Sequence, residues 1–351
     1  MAQKAATAPP VPKVKPTMSD ADWRAFDQQW CAATQPLREI VESGRDVHPM
    51  VFSAWLPSDE ESKRMADLLS LRTQQALNAK GDVASQAVGL WWRTMLVPPQ
   101  DFSALQSFAL STQDPLALAL ASQQRGTAPL ALKWLQLEPH NLAAIWAADR
   151  AKKLPLEAML ERVSLATSND NRLAEAFRRL EAVGLPSKGG FLELTQQTLA
   201  VGAHAAAGLP TQAMELARGC GKATSPRLQA SCEQAAERIW TVGPDDAVGA
   251  VLVLSMVRPY TARSPVWDER ARSVEAMLQA EREDGEASIR ELVRASACLP
   301  SPLMQSMMRA RLTQGPWTWW RTRLNDPDTV TALSERYRAA NGGKGLLTPR
   351  P

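Results

Sequence analysis

Four cysteines, Cys31, Cys220, Cys232 and Cys298, have the widest choice of chemistry in this chain. A thiol can bind zinc, attack a substrate or pair as a disulfide. Cys220 and Cys232 flank Thr224-Ser225-Pro226 almost symmetrically. One ends a helix signal and the other lies near the start of the next. A helical hairpin can hold such positions within the ~4.4–6.8 Å Cα separation that a disulfide needs. Closing that loop would contribute on the order of 3 kcal/mol in the chain-entropy account. An oxidised pair implies an exported protein, whereas reduced thiols are the rule in the cytosol. The spacing leaves both readings open. Cys31 and Cys298 have no cysteine near them in sequence and read as lone core thiols. Without close Cys-x-x-Cys spacing or a nearby His pair, no metal site is assigned.

His48, His140 and His204 lie on different hairpins. None belongs to a His-Glu-x-x-His or Cys-His pattern, and no Gly-x-Ser-x-Gly occurs. Gly219 to Thr224, GCGKAT, looks like a phosphate loop but fails at both ends. Leu216 stands where the leading glycine belongs, and Ala223 where a hydroxyl must follow the lysine. Glu281-Arg282-Glu283-Asp284-Gly285-Glu286 is acidic, and reads as a charged helix end stopped by Gly285. Carboxylates do acid–base work only where their environments separate their pKa values. No catalytic residue and no cofactor is assigned.

Aromatic usage is lopsided, with twelve Trp against six Phe and two Tyr. Trp91-Trp92 and Trp317-Thr318-Trp319-Trp320 put indoles on more than one helix face. Exposed Trp is enriched in binding hot spots. Trp317, Trp319 and Trp320, with Arg321 and Arg323, are therefore the candidate binding residues, suited to a partner's carboxylates or to a membrane interface. The alternative is burial between helices as large spacers.

These side chains must be carried by helices. Ala, Leu, Gln, Arg and Glu dominate, and Val-Ile-Thr alternation is nearly absent, so the chain reads as all-α. Ser19 with Asp22 caps the first helix, and Ser58-Asp59-Glu60-Glu61 opens a long one. In all, roughly eighteen helices are expected, joined by short connections that favour antiparallel neighbours. They include segments near 190–207, 265–282, 286–297 and 302–313. The run Val248–Val257 is apolar on nearly every face and reads as a central buried helix, with Val251, Leu252 and Leu254 almost fully covered. Residues 1–18 form an Ala/Pro/Lys tail expected to be disordered. Residues 19–341 are expected as one helical repeat domain and 342–351 as a flexible tail.

Net charge is only +3, and Arg alternates with Glu and Asp along most helices, which argues against nucleic acid. No stretch approaches the ~20 apolar residues of a membrane span. No leader is evident, so the default location is cytoplasmic. The alternative is a periplasmic or otherwise exported protein, because a Pro/Ala tail also follows cleaved leaders of exported bacterial proteins.

Residues Leu132 to Trp146, LKWLQLEPHNLAAIW, resemble the junction between two tetratricopeptide repeats. The positions that carry the resemblance are Leu135, Leu137, Pro139, Asn141, Ala144 and Trp146. Pro139 blocks continuation of the first helix and Asn141 can cap the second. The match covers about fifteen residues in the region 114–150. The family's 34-residue period and its Gly/Tyr positions are missing. The resemblance implies an α-solenoid of stacked antiparallel hairpins that binds protein or peptide on a concave face. A non-enzymatic scaffold is the first functional expectation. An enzyme assembled from separate helices, or an architectural part of an envelope assembly, is the alternative.

Overall fold

The computed structural model describes residues 13–43, 59–96, 101–122, 127–184, 190–193, 195, 211–260, 264–299, 310 and 312–348. Within them the chain is all-α. There are sixteen helices and no strand, and one isolated bridge pairs Asn141 with Ser168. His48 and His204 lie outside the described residues, as do most of the segment expected near 190–207 and most of that near 302–313.

The chain divides into two compact units, each drawn from three separate stretches. The first takes Met1–Asp101, Arg178–His204 and Gly285–Arg309; the second takes Phe102–Phe177, Ala205–Asp284 and Ala310–Pro351.

In the first unit, α1 (Asp20–Ala33) starts at the expected capping box, with Ser19 and Asp22 bonding reciprocally. Its one apolar face buries Trp23, Phe26 and Trp30. Trp30 stacks on Phe191 at 3.8 Å between ring centres, and its Nε1 donates to the Ser296 carbonyl at 3.1 Å. The short α2 (Gln35–Glu42) buries Leu37. Next, α3 (Asp59–Asn78) and α4 (Val83–Leu96) form a hairpin about Gly81, whose φ of 77° favours glycine. Trp91 and Trp92 of α4 are both buried. Val14 is also buried, and its amide bonds to Glu61, so packing begins inside the stretch expected as a tail.

Gly190 shows how tightly this unit closes. A Cβ there would stand 1.9 Å from Oδ2 of the buried Asp27, whose Oδ1 accepts the Leu192 amide at 3.2 Å. Gly190→Ala should displace that carboxylate from its buried donor, at a cost of about 2–3 kcal/mol. Urea titration checks this, and a change under ~0.5 kcal/mol would refute it.

The second unit begins with α5 (Ser103–Thr112), α6 (Pro115–Ser122), α7 (Ala128–Leu137) and α8 (Leu142–Ala151), each packed on the next. The pattern then changes. Helix α9 (Leu156–Ser164) packs mainly on α12 (Pro226–Val242), and α11 (Thr211–Cys220) on α13 (Ala247–Val257). Between them in sequence lies α10 (Leu173–Val183).

Two expectations are corrected here. Helix α13 is not covered all round. Ala250, Val253, Leu254 and Val257 are buried, but Val251 and Leu252 are only half-buried and Val248 is 41% exposed. Positions 248, 251, 252 and 255 share one face at helical spacing, and that face stays partly open. Leu252→Ala should therefore cost less than the ~2–5 kcal/mol of a fully buried leucine. Nor does Gly285 stop a helix: α14 runs unbroken over Val266–Ser296. One glycine costs a helix only about 1 kcal/mol, less than its helix-forming neighbours return.

The last helices are α15 (Pro316–Arg323) and α16 (Pro327–Ala340). Beyond them, within the stretch expected as a flexible tail, Leu347 is buried and the Leu346 amide donates to Glu275 at 2.8 Å.

Candidate functional site

The hairpin expected around Thr224-Ser225-Pro226 is formed. Ser225 caps α12, Pro226 sits in its first turn, and Cys220 and Cys232 are disulfide-bonded at a Cα separation of 5.7 Å. The reading of Cys31 and Cys298 as lone thiols is overturned. They form a second disulfide across 267 residues, with Cα atoms 5.5 Å apart. The end of α1 meets the end of α14 there, a contact no local spacing could reveal. All four cysteines are thus paired.

The candidate binding residues at 317–323 are drawn into packing. Trp320 is fully buried and donates Nε1 to Glu281 at 3.0 Å. Trp317 is buried edge-on to Trp240 at 5.1 Å. Trp319 is half-buried against Trp320. Arg323 covers both Trp319 and Trp320 and pairs with Asp284. Arg321 and Arg323 are exposed, and Trp319 is partly so. The acidic run of α14 has its role in the same contacts, since Glu281, Glu283 and Asp284 receive Trp320, Arg336 and Arg323. These residues form a layer of large spacers clamped by ion pairs.

A different polar centre surrounds the turn at Glu138-Pro139-His140-Asn141. Asn141 caps α8 by accepting the Ala143 amide, and its Nδ2 donates to Glu138 and to the Asp170 carbonyl, both at 2.8 Å. Trp134 and Arg172 also bond Glu138, holding its carboxyl below the usual range against the opposing effect of burial. His140 is exposed. Beside this turn, Asn169 Nδ2 donates to the Gly243 carbonyl at 2.7 Å and, at 3.3 Å, to Asp245. Asn171 adds a second long contact to the same Asp245 oxygen at 3.4 Å. Asn169 Oδ1 is shielded from solvent and has no hydrogen-bond partner.

Asn169 and Asp245 line one end of a pocket of about 20 Å³. Leu142, Trp146, Ile239, Leu252, Val253 and Met256 supply its apolar wall. Burial, reinforced by the charges of Asp246 and Asp170, pushes the Asp245 carboxyl up to about 7. Nothing in the sequence marked this site. Pro244-Asp245-Asp246 reads as a helix start, and Asp246 is indeed the cap of α13. Among the described residues, no group of three or more His, Cys, Asp or Glu side chains gathers as a metal site, and no helix is long and apolar enough to cross a membrane.

No family model, curated protein or solved structure matches this chain.

Asp245 carries a pH prediction. In the folded chain it keeps its proton to about pH 7, whereas the ordinary value is 3.8. Between those values the folded state binds more protons than the unfolded state, so this group makes stability fall as pH rises. Asp245→Asn removes that penalty. The variant should match the parent near pH 4 and exceed it by on the order of 2–4 kcal/mol at pH 8. Urea titrations at the two pH values measure the difference, and an equal effect at both would refute the assignment.

Proposed function

We propose that this chain is a non-enzymatic scaffold that binds a protein or peptide, built of stacked helical hairpins in the manner of a divergent tetratricopeptide-like solenoid. The observation that carries the reading is the open face of α13. Val248, Val251 and Leu252 form a half-exposed apolar stripe, and Leu252 also lines the pocket whose polar end is Asn169 and Asp245. An apolar strip beside a few fixed polar groups is how grooves take a partner segment. The enzymatic alternative asks for several perturbed ionisable groups around one cleft; among the described residues lining this pocket, Asp245 is the one ionisable group. The pairing of all four cysteines supports maturation in an oxidising compartment, and hence the exported alternative.

Native affinity purification with mass spectrometry tests this reading. Partners should be retained by the parent protein and lost from Leu252→Arg, which places a charge on the stripe. Circular dichroism and thermal melting confirm that the variant is folded. An identical set of co-purifying proteins on both baits would refute it.

A further inference from the structure

We propose that the pocket between Asn169 and Asp245 receives the ammonium end of a lysine side chain belonging to the bound partner segment. The inference rests on the scaffold reading and names what its groove recognises.

The polar end of the pocket offers acceptors. Asn169 Oδ1 is buried and unpartnered, and its amide nitrogen is already committed to Gly243 and Asp245. Among the described residues Asp245 accepts two long contacts, from Asn169 and Asn171. Among the described residues no Lys or Arg forms an ion pair with Asp245 or Asp246. Asp246 and Asp170 add negative charge beside Asp245. A group that brings donors and positive charge, and no acceptor, fits this end. An ammonium is such a group, with three donors.

Size and wall select lysine among cations. The space is about 20 Å³, room for roughly one small group, whereas guanidinium is broad and planar. A calcium ion would need six to eight oxygen ligands, more than one carboxylate and one amide supply. The walls of Leu252, Val253, Met256 and Trp146 are apolar and suit an unbranched methylene stem. The stripe of Val248 and Val251 continues outward on the same helix, where the flanking residues of a partner segment would lie.

The test uses the full chain at pH 8 with 13C-methyl methionine, the Met256 resonance being identified by its loss in Met256→Leu. Titration with n-butylammonium chloride at constant ionic strength should shift that resonance saturably. Butanol should do so at least about ten-fold more weakly. Asp245→Asn, which keeps the shape, should weaken the ammonium response about ten-fold. A short acetylated peptide with one central lysine flanked by leucines should bind more tightly than butylammonium, and its Nζ-acetylated form should not bind. Absence of saturation, an equal response to butanol, indifference to Asp245→Asn or indifference to lysine acetylation would each overturn the proposal. The two readings separate in the purification experiment. Partners that stay on Asp245→Asn but leave Leu252→Arg would uphold the scaffold and refute the lysine pocket.

Discussion

Serine at both Cys31 and Cys298 should destabilise the first unit by about 3–5 kcal/mol, more than serine at both Cys220 and Cys232 should cost the second. The argument is one of loop length. The outer disulfide spans 267 residues and the inner one 12. In the entropy account a longer closed loop removes more freedom from the unfolded chain. The outer bridge also joins stretches that no nearby covalent link holds together, since the first unit gathers three separated segments. Its neighbours are polar contacts to the same helix end. Trp30 donates to the Ser296 carbonyl, and Arg38 reaches the carbonyls of Ala297 and Cys298. These bonds survive in the double variant only if the ends stay docked. Urea unfolding of the two double variants, followed by tryptophan fluorescence, gives the ordering. An outer variant no less stable than the inner one would refute the loop argument. Alkylation with and without reductant, read by intact mass, should show no free thiol in the native protein.

The contrast between the two bridges also explains what could be read in advance. Cys220 and Cys232 were legible because a turn rich in Ser and Pro sits midway between them, and hairpin geometry is local. Cys31 and Cys298 meet only through tertiary docking, which spacing does not encode. The same divide runs through the rest of the chain. Helices with a cap and a clean apolar face, such as Asp20–Ala33 and Pro226–Val242, were readable from sequence. Gly285 misled because a single glycine is a weak breaker inside strong helix formers. The Val248–Val257 run misled differently. Uniform hydrophobicity says that a helix wants cover, not that the fold supplies all of it, and the partly open face is where the proposed groove lies. Asn169 and Asp245 carried no signal because neither belongs to a motif. They become a site only when the turn after α9 meets the start of α13. The tryptophans at 317, 319 and 320 are ambiguous in sequence for a physical reason: indole serves equally as spacer and as hot spot, and spacing does not reveal that carboxylates of α14 receive Trp320 and Arg323.

The second large effect is expected at Glu275. The residue is completely buried and does not line the pocket. Oε2 accepts from Ser334 Oγ at 2.7 Å and from Arg338 Nε at 2.7 Å, while Oε1 accepts the Leu346 amide at 2.8 Å. One side chain of α14 thus fastens α16 and the segment after it. Gly345 makes the approach possible, since a Cβ there would stand 2.6 Å from Oε1. Glu275→Ala leaves three donors facing a void and should cost about 3–5 kcal/mol, the range for breaking a buried charge pair. Glu275→Gln should recover only part of this, because its amide NH2 must face one of the donors. Arg338→Ala should cost less, about 1–3 kcal/mol, since that side chain is 41% exposed and partly screened by water. Hydrogen exchange separates a local from a global effect. If Glu275 is the fastening, the Leu346 amide loses protection in Glu275→Ala while amides in the first unit keep theirs. Unchanged protection at Leu346, or a stability change under ~1 kcal/mol in Glu275→Ala, would mean that Leu347 burial alone holds the segment.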